Sequence, residues 1–188
     1  DIGAYEDGIA FFISDASLTE GDTGSSLMSF TVTRSFITDT TYTVDYETVI
    51  VPDSAEEGVD YTAVSTDTLT FMPNDMTQTI NIEILGDTLD EEDEQFTVQL
   101  SNPSPEVSIG DGIGIGTILD DDDPPSLTID DVTVGEGDSG SVTIVLTPTL
   151  SATSGQTITV AYETQDGTAE VGDSDYSAAG DTSTFPPA

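Results

Sequence analysis

Three stretches of this sequence occur twice, and that repetition limits the fold more than any other feature. "LTEGDTGSS" (18–26) returns as "VGEGDSGSV" (134–142), "TYTVDYET" (41–48) as "TITVAYET" (157–164), and "VDYTAVSTDTLTFMP" (59–73) as "SDYSAAGDTSTFPP" (174–187). The offset is 116 residues for the first two pairs and one or two fewer for the third. Two copies of one domain are expected, joined at "DDDDPP" (120–125), where two prolines stop the preceding strand and stiffen the link. Residues 1–9 then form an N-terminal strand or linker, 10–123 a complete domain, and 124–188 the front half of a second. Counterparts of the first copy run only to about Phe71, and nothing in the second corresponds to "TINIEIL" (79–85), "QFTVQL" (95–100) or "GIGIGTIL" (112–119).

Period-two alternation sets the material of each copy. "SFTVTRS" (29–35), "TYTVDYE" (41–47), "TLTFM" (68–72) and the three segments just quoted carry apolar residues at every second position, bounded by Gly, Asn, Asp or Pro. Half-buried strands read this way, and no segment keeps a 3.6-residue period. The fold class is all-β: an immunoglobulin-like antiparallel β-sandwich in two tandem copies, seven-stranded in the first and about four-stranded in the incomplete second. Val142, Ile144, Leu146, Ile158, Val160 and Tyr162 alternate as in a finished sandwich and so expect a partner layer.

Charge narrows the chemistry. The chain holds 38 Asp and Glu against one basic residue, Arg34, with no His and no Cys, for a net charge of −37. Acidic disorder does not fit, because 35% of residues are hydrophobic and fall in ordered alternation. A halophile's acids usually spread over exposed faces, whereas these cluster at loops, as in "GDTLDEEDEQF" (86–96). Without Cys or His there is no ordinary zinc or copper site, thiol nucleophile or Ser-His-Asp triad. Only oxygen ligands remain, and these suit Ca2+, which takes about six to eight oxygens in flexible geometry. A body of this charge repels phosphate, so nucleic acid and anionic membranes are poor partners, and no apolar run is long enough to span a bilayer.

The motifs "EGD(T/S)G", "YET…DY", "LGDTLDEEDEQFTVQLSNP" and "GIGTILDDDD" resemble those of Calx-beta domains, the β-sandwich modules of sodium–calcium exchangers, integrin β4 and large bacterial surface proteins. The resemblance covers residues 10–123 fully and the front half of the module over 124–188. It implies Ca2+ at one end of the sandwich, held in the first copy by Glu20, by Asp87, Glu91 and Glu94, and by Asp120, Asp121 and Asp122, with Asp123 in the same run. For the middle loop it implies Asp166 in the second copy and only Asp53, at a shifted spacing, in the first. Glu136 stands where Glu20 stands. Physical chemistry points the same way, since separate acidic stretches coexist at one end of a domain only if something cancels their repulsion.

Other motifs are weaker. "DTG" (22–24) and "DSG" (138–140) match an aspartic-protease signature, but each sits in the same turn of a separate copy, where Asp caps the loop and Gly supplies positive φ. "GDGIGIG" (110–116) opens a strand, so its small residues suit tight packing better than phosphate. Three function classes are open. The first is a structural or adhesive extracellular module stiffened by Ca2+, the second a carbohydrate-binding or carbohydrate-active domain, and the third a calcium-sensing regulatory module. The absence of Trp and of any marked acid pair speaks against an enzyme. Expected partners are neighbouring domains of a longer array or other copies of the chain, with surface glycans or proteins beyond them. Secretion or cell-surface display is expected, because millimolar Ca2+ is available there and the chain starts at Asp1, as a processed protein or a piece of a longer one. The segment "DIGAYEDG" (1–8), with Glu6 and Asp7, falls where "TILDDDDP" (117–124) falls relative to the next copy, like the tail of a preceding domain. Donated between subunits, it would make a head-to-tail contact that does not close, and hence a filament.

Overall fold

The structure is a computed structural model and describes residues 8–52 and 54–188. The expectations for residues 1–7, including Glu6 and Asp7, and for Asp53 lie outside the described residues. The chain divides into two compact units: Asp1–Thr88 with Glu92–Asp122, and Leu89–Glu91 with Asp123–Ala188.

The first unit contains β1 (Ile9–Ile13), β2 (Ala16–Thr19), β3 (Gly24–Arg34), β4 (Tyr42–Val49), β5 (Asp67–Phe71), β6 (Thr77–Gly86), β7 (Glu94–Ser101), β8 (Val107–Asp111) and β9 (Ile113–Leu119). They form one sheet in the order β6-β3-β1-β8 and a second in the order β2-β9-β7-β4-β5. Nine segments stand where seven strands were expected, because the first and last strands each break and change sheets. At Ser14–Asp15 the reason is visible. Ser14 bonds into the first sheet, its N–H donating to Thr31 O at 3.0 Å and its Oγ accepting from the Thr31 N–H at 3.0 Å. Asp15 bonds into the other, its Oδ1 accepting from the Ile115 N–H at 2.8 Å. The pairing is also not wholly antiparallel: β1–β8 and β2–β9 run parallel. Parallel neighbours need a long crossover, and here the body of the unit lies between them in sequence.

The alternation fills the space between the sheets. Met28, Phe30 and Val32 of β3, Ile80, Ile82 and Ile84 of β6, and Phe96, Val98 and Leu100 of β7 are all buried, each contributing about 1.5–3 kcal/mol by removal from water. Tyr61 stacks on Phe96 at 4.5 Å, Phe30 meets that ring edge-on at 6.0 Å, and Phe11 packs on Phe71 at 4.8 Å. In β9 the glycines take the inner face. A Cβ on Gly116 would lie 2.6 Å from the Phe96 ring, so the aromatic core itself excludes any side chain there. Arg34 keeps the phase of Met28, Phe30 and Val32 and is fully buried. Its Nη1 donates to Thr38 Oγ1 at 3.1 Å and its Nη2 to Thr38 O at 3.4 Å, while Nε has no partner.

The second unit contains β10 (Leu127–Ile129), β11 (Pro148–Leu150), β12 (Ile158–Glu163) and β13 (Gly180–Phe185). They form two separate antiparallel pairs, β10 with β11 and β12 with β13. The registers copy those of the first unit. Leu127 opposite Leu150 repeats Phe11 opposite Arg34, and Ile158 opposite Phe185 repeats Tyr42 opposite Phe71. An open cavity of about 320 Å³ lies where Leu150, Ile158 and Phe185 meet, Leu150 and Ile158 being smaller than the Arg34 and Tyr42 they replace. Residues 130–147 form no strand, and Val142, Ile144 and Leu146 are exposed.

Candidate metal centre

Glu20 and Asp120 are distant in sequence and close in space, and the sheet explains why. β2 and β9 run parallel with Thr19 opposite Leu119, so the next residue of each leaves the same end of the pair. The Glu20 N–H donates to Leu119 O at 3.2 Å, which extends the ladder by one bond. Beyond it the Gly21 N–H donates to Asp121 Oδ1 at 3.0 Å, and the Asp120 N–H donates to Asp93 Oδ1 at 3.2 Å. β6 ends at the same corner. Its last residue, Gly86, pairs with Gly24, and a Cβ there would lie 2.0 Å from Gly21 O and 2.7 Å from Glu20 O. Only glycine lets β6 come so close to the turn, and the next residue is Asp87.

Carboxylate oxygens of Glu20, Asp120 and Asp122 lie within 4.8 Å of one another. Glu20 is buried, and Asp120 and Asp122 are half-buried. Oδ2 of Asp122 is itself buried and has no hydrogen-bond partner. Desolvation pushes the Asp122 carboxyl above its usual range, and the charges of Asp120, Asp22, Asp121 and Asp87 push it further, in that order. Like charges about 4 Å apart repel by roughly 1 kcal/mol in water and more beside protein. Among the described residues the corner therefore gathers acids at a free-energy cost, without His, Cys or a basic side chain to offset it. Its donor set is hard oxygen throughout, and the buried, unbonded Oδ2 is an acceptor with nothing to accept. Both properties fit a hard divalent cation.

The residues singled out in the sequence divide into three groups. Glu20, Asp120 and Asp122 come together, and Asp87 and Asp121 stand near enough for their charge to act on Asp122. Glu94 opens β7 opposite Ile118, outside the three-carboxylate cluster. Glu91 belongs to the second unit, where its carbonyl accepts from Gln156 Nε2 at 3.1 Å. Asp123, Glu136 and Asp166 are exposed there as well. Asp166 Oδ1 accepts from the Val171 N–H at 3.0 Å and the Tyr176 hydroxyl at 2.8 Å, and these two bonds hold its carboxyl below the usual range. Two acids of the corner were not among the candidates. Asp22 reads in sequence as a turn residue, which it also is, since Gly24 just beyond it has φ 81°. Its place two residues after Glu20 was the available signal. Asp93 lies inside the acidic loop, and no spacing rule separates it from its neighbours there.

A family model described as the Calx-beta domain matches residues 6–117 and again 120–188. Among solved structures, the apo-form Calx CBD1 domain is 29% identical, with a TM-score of 0.55, and the match covers 62% of this chain and 100% of that one. The calcium binding domain CBD12 of CALX1.1 is 30% identical, with a TM-score of 0.52, and the match covers 60% of this chain. This chain spans 44% of the length of that CBD12 structure. No curated protein matches the sequence.

Proposed function

Since the chain belongs to the Calx-beta family, with both of its units matched, we propose that it is a calcium-binding module and not an enzyme, its ion held at the corner where β2, β6 and β9 end. One observation carries this reading: oxygens of Glu20, Asp120 and Asp122 within 4.8 Å of one another, with Asp122 Oδ2 buried and unbonded. Glu20, Asp120 and Asp122 would be the direct ligands, and Asp22, Asp87 and Asp121 would add negative potential. When bound, the ion supplies the positive charge that this corner lacks. The chain's own part is positional. The parallel β2–β9 pair fixes the spacing of Glu20 and Asp120, and Gly86 brings the end of β6 against the Glu20–Gly21 backbone.

The role such a site serves is structural, in an extracellular array where filled sites stiffen the chain. The net charge of −37 supports it, because such a body stays apart from phosphate and anionic membrane. Weak carboxylate sites, with dissociation constants of about 10⁻⁴–10⁻³ M, also stay filled where Ca2+ is millimolar. Titration calorimetry of the 188-residue chain tests the ion. Ca2+ should release or absorb heat with saturation, and Mg2+ should bind more weakly. Changes in the outer shell of a metal site cost about 10- to 100-fold in affinity, so Glu20→Gln or Asp122→Asn, which remove a direct ligand, should cost no less. Equal Ca2+ affinity in both variants would remove the corner from consideration.

A further inference from the structure

We infer that the loop between β11 and β12 is a receptor for the acidic segment Leu89–Glu91, and that the equivalent loop of the first unit is closed to the same segment because it carries Asp39 where the second carries Gly155. The two repeats thus differ in what they recognise. This does not depend on calcium at the corner. It rests on a contact inside the second unit, to which Leu89–Glu91 belongs although Thr88 and Glu92 belong to the first. The Ser154 hydroxyl donates to Asp90 Oδ2 at 2.8 Å, and the Gly155 N–H donates to Asp90 O at 3.0 Å. Gln156 Nε2 donates to Glu91 O at 3.1 Å. Asp90 and Ser154 are 6% and 4% exposed, and an acid is tolerated at such burial where donors face it.

The two loops are built alike and differ where the segment touches. At their start the Ala10 N–H donates to Ser35 Oγ at 3.0 Å, and the Ser126 N–H to Ser151 Oγ at 2.9 Å. Further on, the Thr40 N–H donates to Thr38 Oγ1 at 3.4 Å, and the Gln156 N–H to Ser154 Oγ at 3.0 Å. Thr38, Asp39 and Thr40 therefore stand at the places of Ser154, Gly155 and Gln156, in keeping with the 116-residue offset. Their hydroxyl protons go to different partners. Thr38 Oγ1 donates within its own loop, to Thr40 O at 3.2 Å, and accepts from Arg34 Nη1 at 3.1 Å. Leu150 replaces Arg34 in the second unit, and there the Ser154 hydroxyl turns to Asp90. Gly155 is what makes the approach possible, since a Cβ on it would lie 2.5 Å from Glu91 Oε1 and 2.7 Å from Glu91 Cγ. Asp39 puts both a Cβ and a negative charge at that place, so Glu91 would meet a steric and an electrostatic barrier together. Arg34 is fully buried and spends its Nη donors on Thr38.

Disulfide capture in the full chain tests this, and the absence of native cysteine leaves no competing thiol. Asp90→Cys with Ser154→Cys should close an intramolecular bond, read as a monomer of raised mobility on a non-reducing gel, because the two side chains already meet. Adding Gly155→Asp should slow that capture by about tenfold, as the loss of one hydrogen bond to a charged group does. Thr38 follows the end of β3 remote from Gly24, the partner of Gly86, so Asp90→Cys with Thr38→Cys is captured only between molecules. With Gly155→Asp present to release the segment, such dimers should form no faster than with Asp90→Cys alone, and Asp39→Gly should then raise the rate by about fivefold. Amide exchange on Ser154→Ala covers the case in which the cysteines disturb the fold: the Gly155 N–H should exchange about tenfold faster, with β12 and β13 unchanged. The inference is overturned by failed capture at 154 together with an unchanged Gly155 rate, or by capture indifferent to Gly155→Asp. It is equally overturned if Thr38→Cys is captured rapidly beside Asp39, or if Asp39→Gly makes no difference.

Discussion

Gly21 and Gly24 have φ of 76° and 81°, and their counterparts Gly137 and Gly140 have 77° and 88°. The turn between them is thus built the same way in both units, yet the chain leaving it differs. Gly24 itself begins an eleven-residue strand, whereas after Gly140 comes exposed chain until Pro148. A turn is satisfied by its own residues, through glycine's access to positive φ. A strand is not: its N–H and C=O groups and its apolar face need neighbours on the ladder and across the sandwich. The second unit accordingly keeps only those pairings whose two members both lie in residues 124–188, and keeps them in the register of the first. Sequence similarity between the copies passes on local geometry outright and long-range structure only by pairs.

The largest test of that contrast is in the core. Phe96→Ala opens a hole beside Tyr61 and Phe30 and should lower first-unit stability by about 3–5 kcal/mol, whereas Leu146→Ala, at an exposed position, should stay within about 0.5 kcal/mol. Urea unfolding followed by residue-resolved signals measures both, and equal losses would mean that the second unit has a hidden core. Next comes calcium. At a concentration 100 times the dissociation constant, binding to the folded form alone is worth about 2.7 kcal/mol, so chelator should lower the melting temperature of the first unit and leave the second where it was. A common shift would place an ion in both units. Smaller again is the glycine pair. Gly86→Ala drives a methyl group onto Gly21 O and should cost about 1–3 kcal/mol, while Gly167→Ala meets nothing within 4 Å and should be nearly silent. Thermal melts of the two variants side by side decide it.

The smallest effect is one of sign. The Asp122 carboxyl titrates above its usual range, so without calcium the folded first unit holds that proton more tightly than the unfolded chain does. The Asp122 contribution to the first unit should therefore grow as the pH falls from 7 toward the raised pKa, opposed at lower pH by Glu83, whose carboxyl the Ser25 and Thr62 hydroxyls hold low. The Asp166 carboxyl is held low, first by the Val171 N–H and then by the Tyr176 hydroxyl. Its contribution is present above the ordinary carboxylate value and is lost as pH falls through the lowered one. Asp122→Asn should flatten the first slope only, and Asp166→Asn the second only. Melting curves in chelator between pH 7 and 4 whose first-unit slope is unchanged by Asp122→Asn, or whose second-unit slope is unchanged by Asp166→Asn, would contradict the assignment.

The alternation of polar and apolar residues reveals β3 to β7 and β9 in the sequence, because each buries one face of a continuous ladder. It does not reveal which face of β9 is inner: Ile113 and Ile115 point outward and Gly114 and Gly116 inward, since the Phe96 ring already fills the space. β1, β2 and β8 are only four or five residues long, because the chain changes sheets between β1 and β2 and again between β8 and β9, so no long periodic run marks them. For Arg34 the signal was present, in phase with Val32, but its charge argues against the interior. At the acidic corner, the residues that directly follow strands, Glu20 and Asp120, stand out in the motif, and the structure brings their carboxylates together. Asp22 and Asp93 do not stand out, because their nearness to that corner depends on how the strand ends meet.

Burial of Arg34 has a consequence for proteolysis. The chain has no lysine and no other arginine, so trypsin has one bond to cut, Arg34–Ser35, and in the folded first unit that arginine is inside. The native protein should be inert to trypsin however freely the second unit opens. When the first unit opens, a single cut yields residues 1–34 and 35–188 and nothing else. Where opening and closing are fast relative to cleavage, the rate of that cut reports the open population. The chain therefore carries a built-in, single-site gauge of first-unit opening that remains blind to the rest of the molecule.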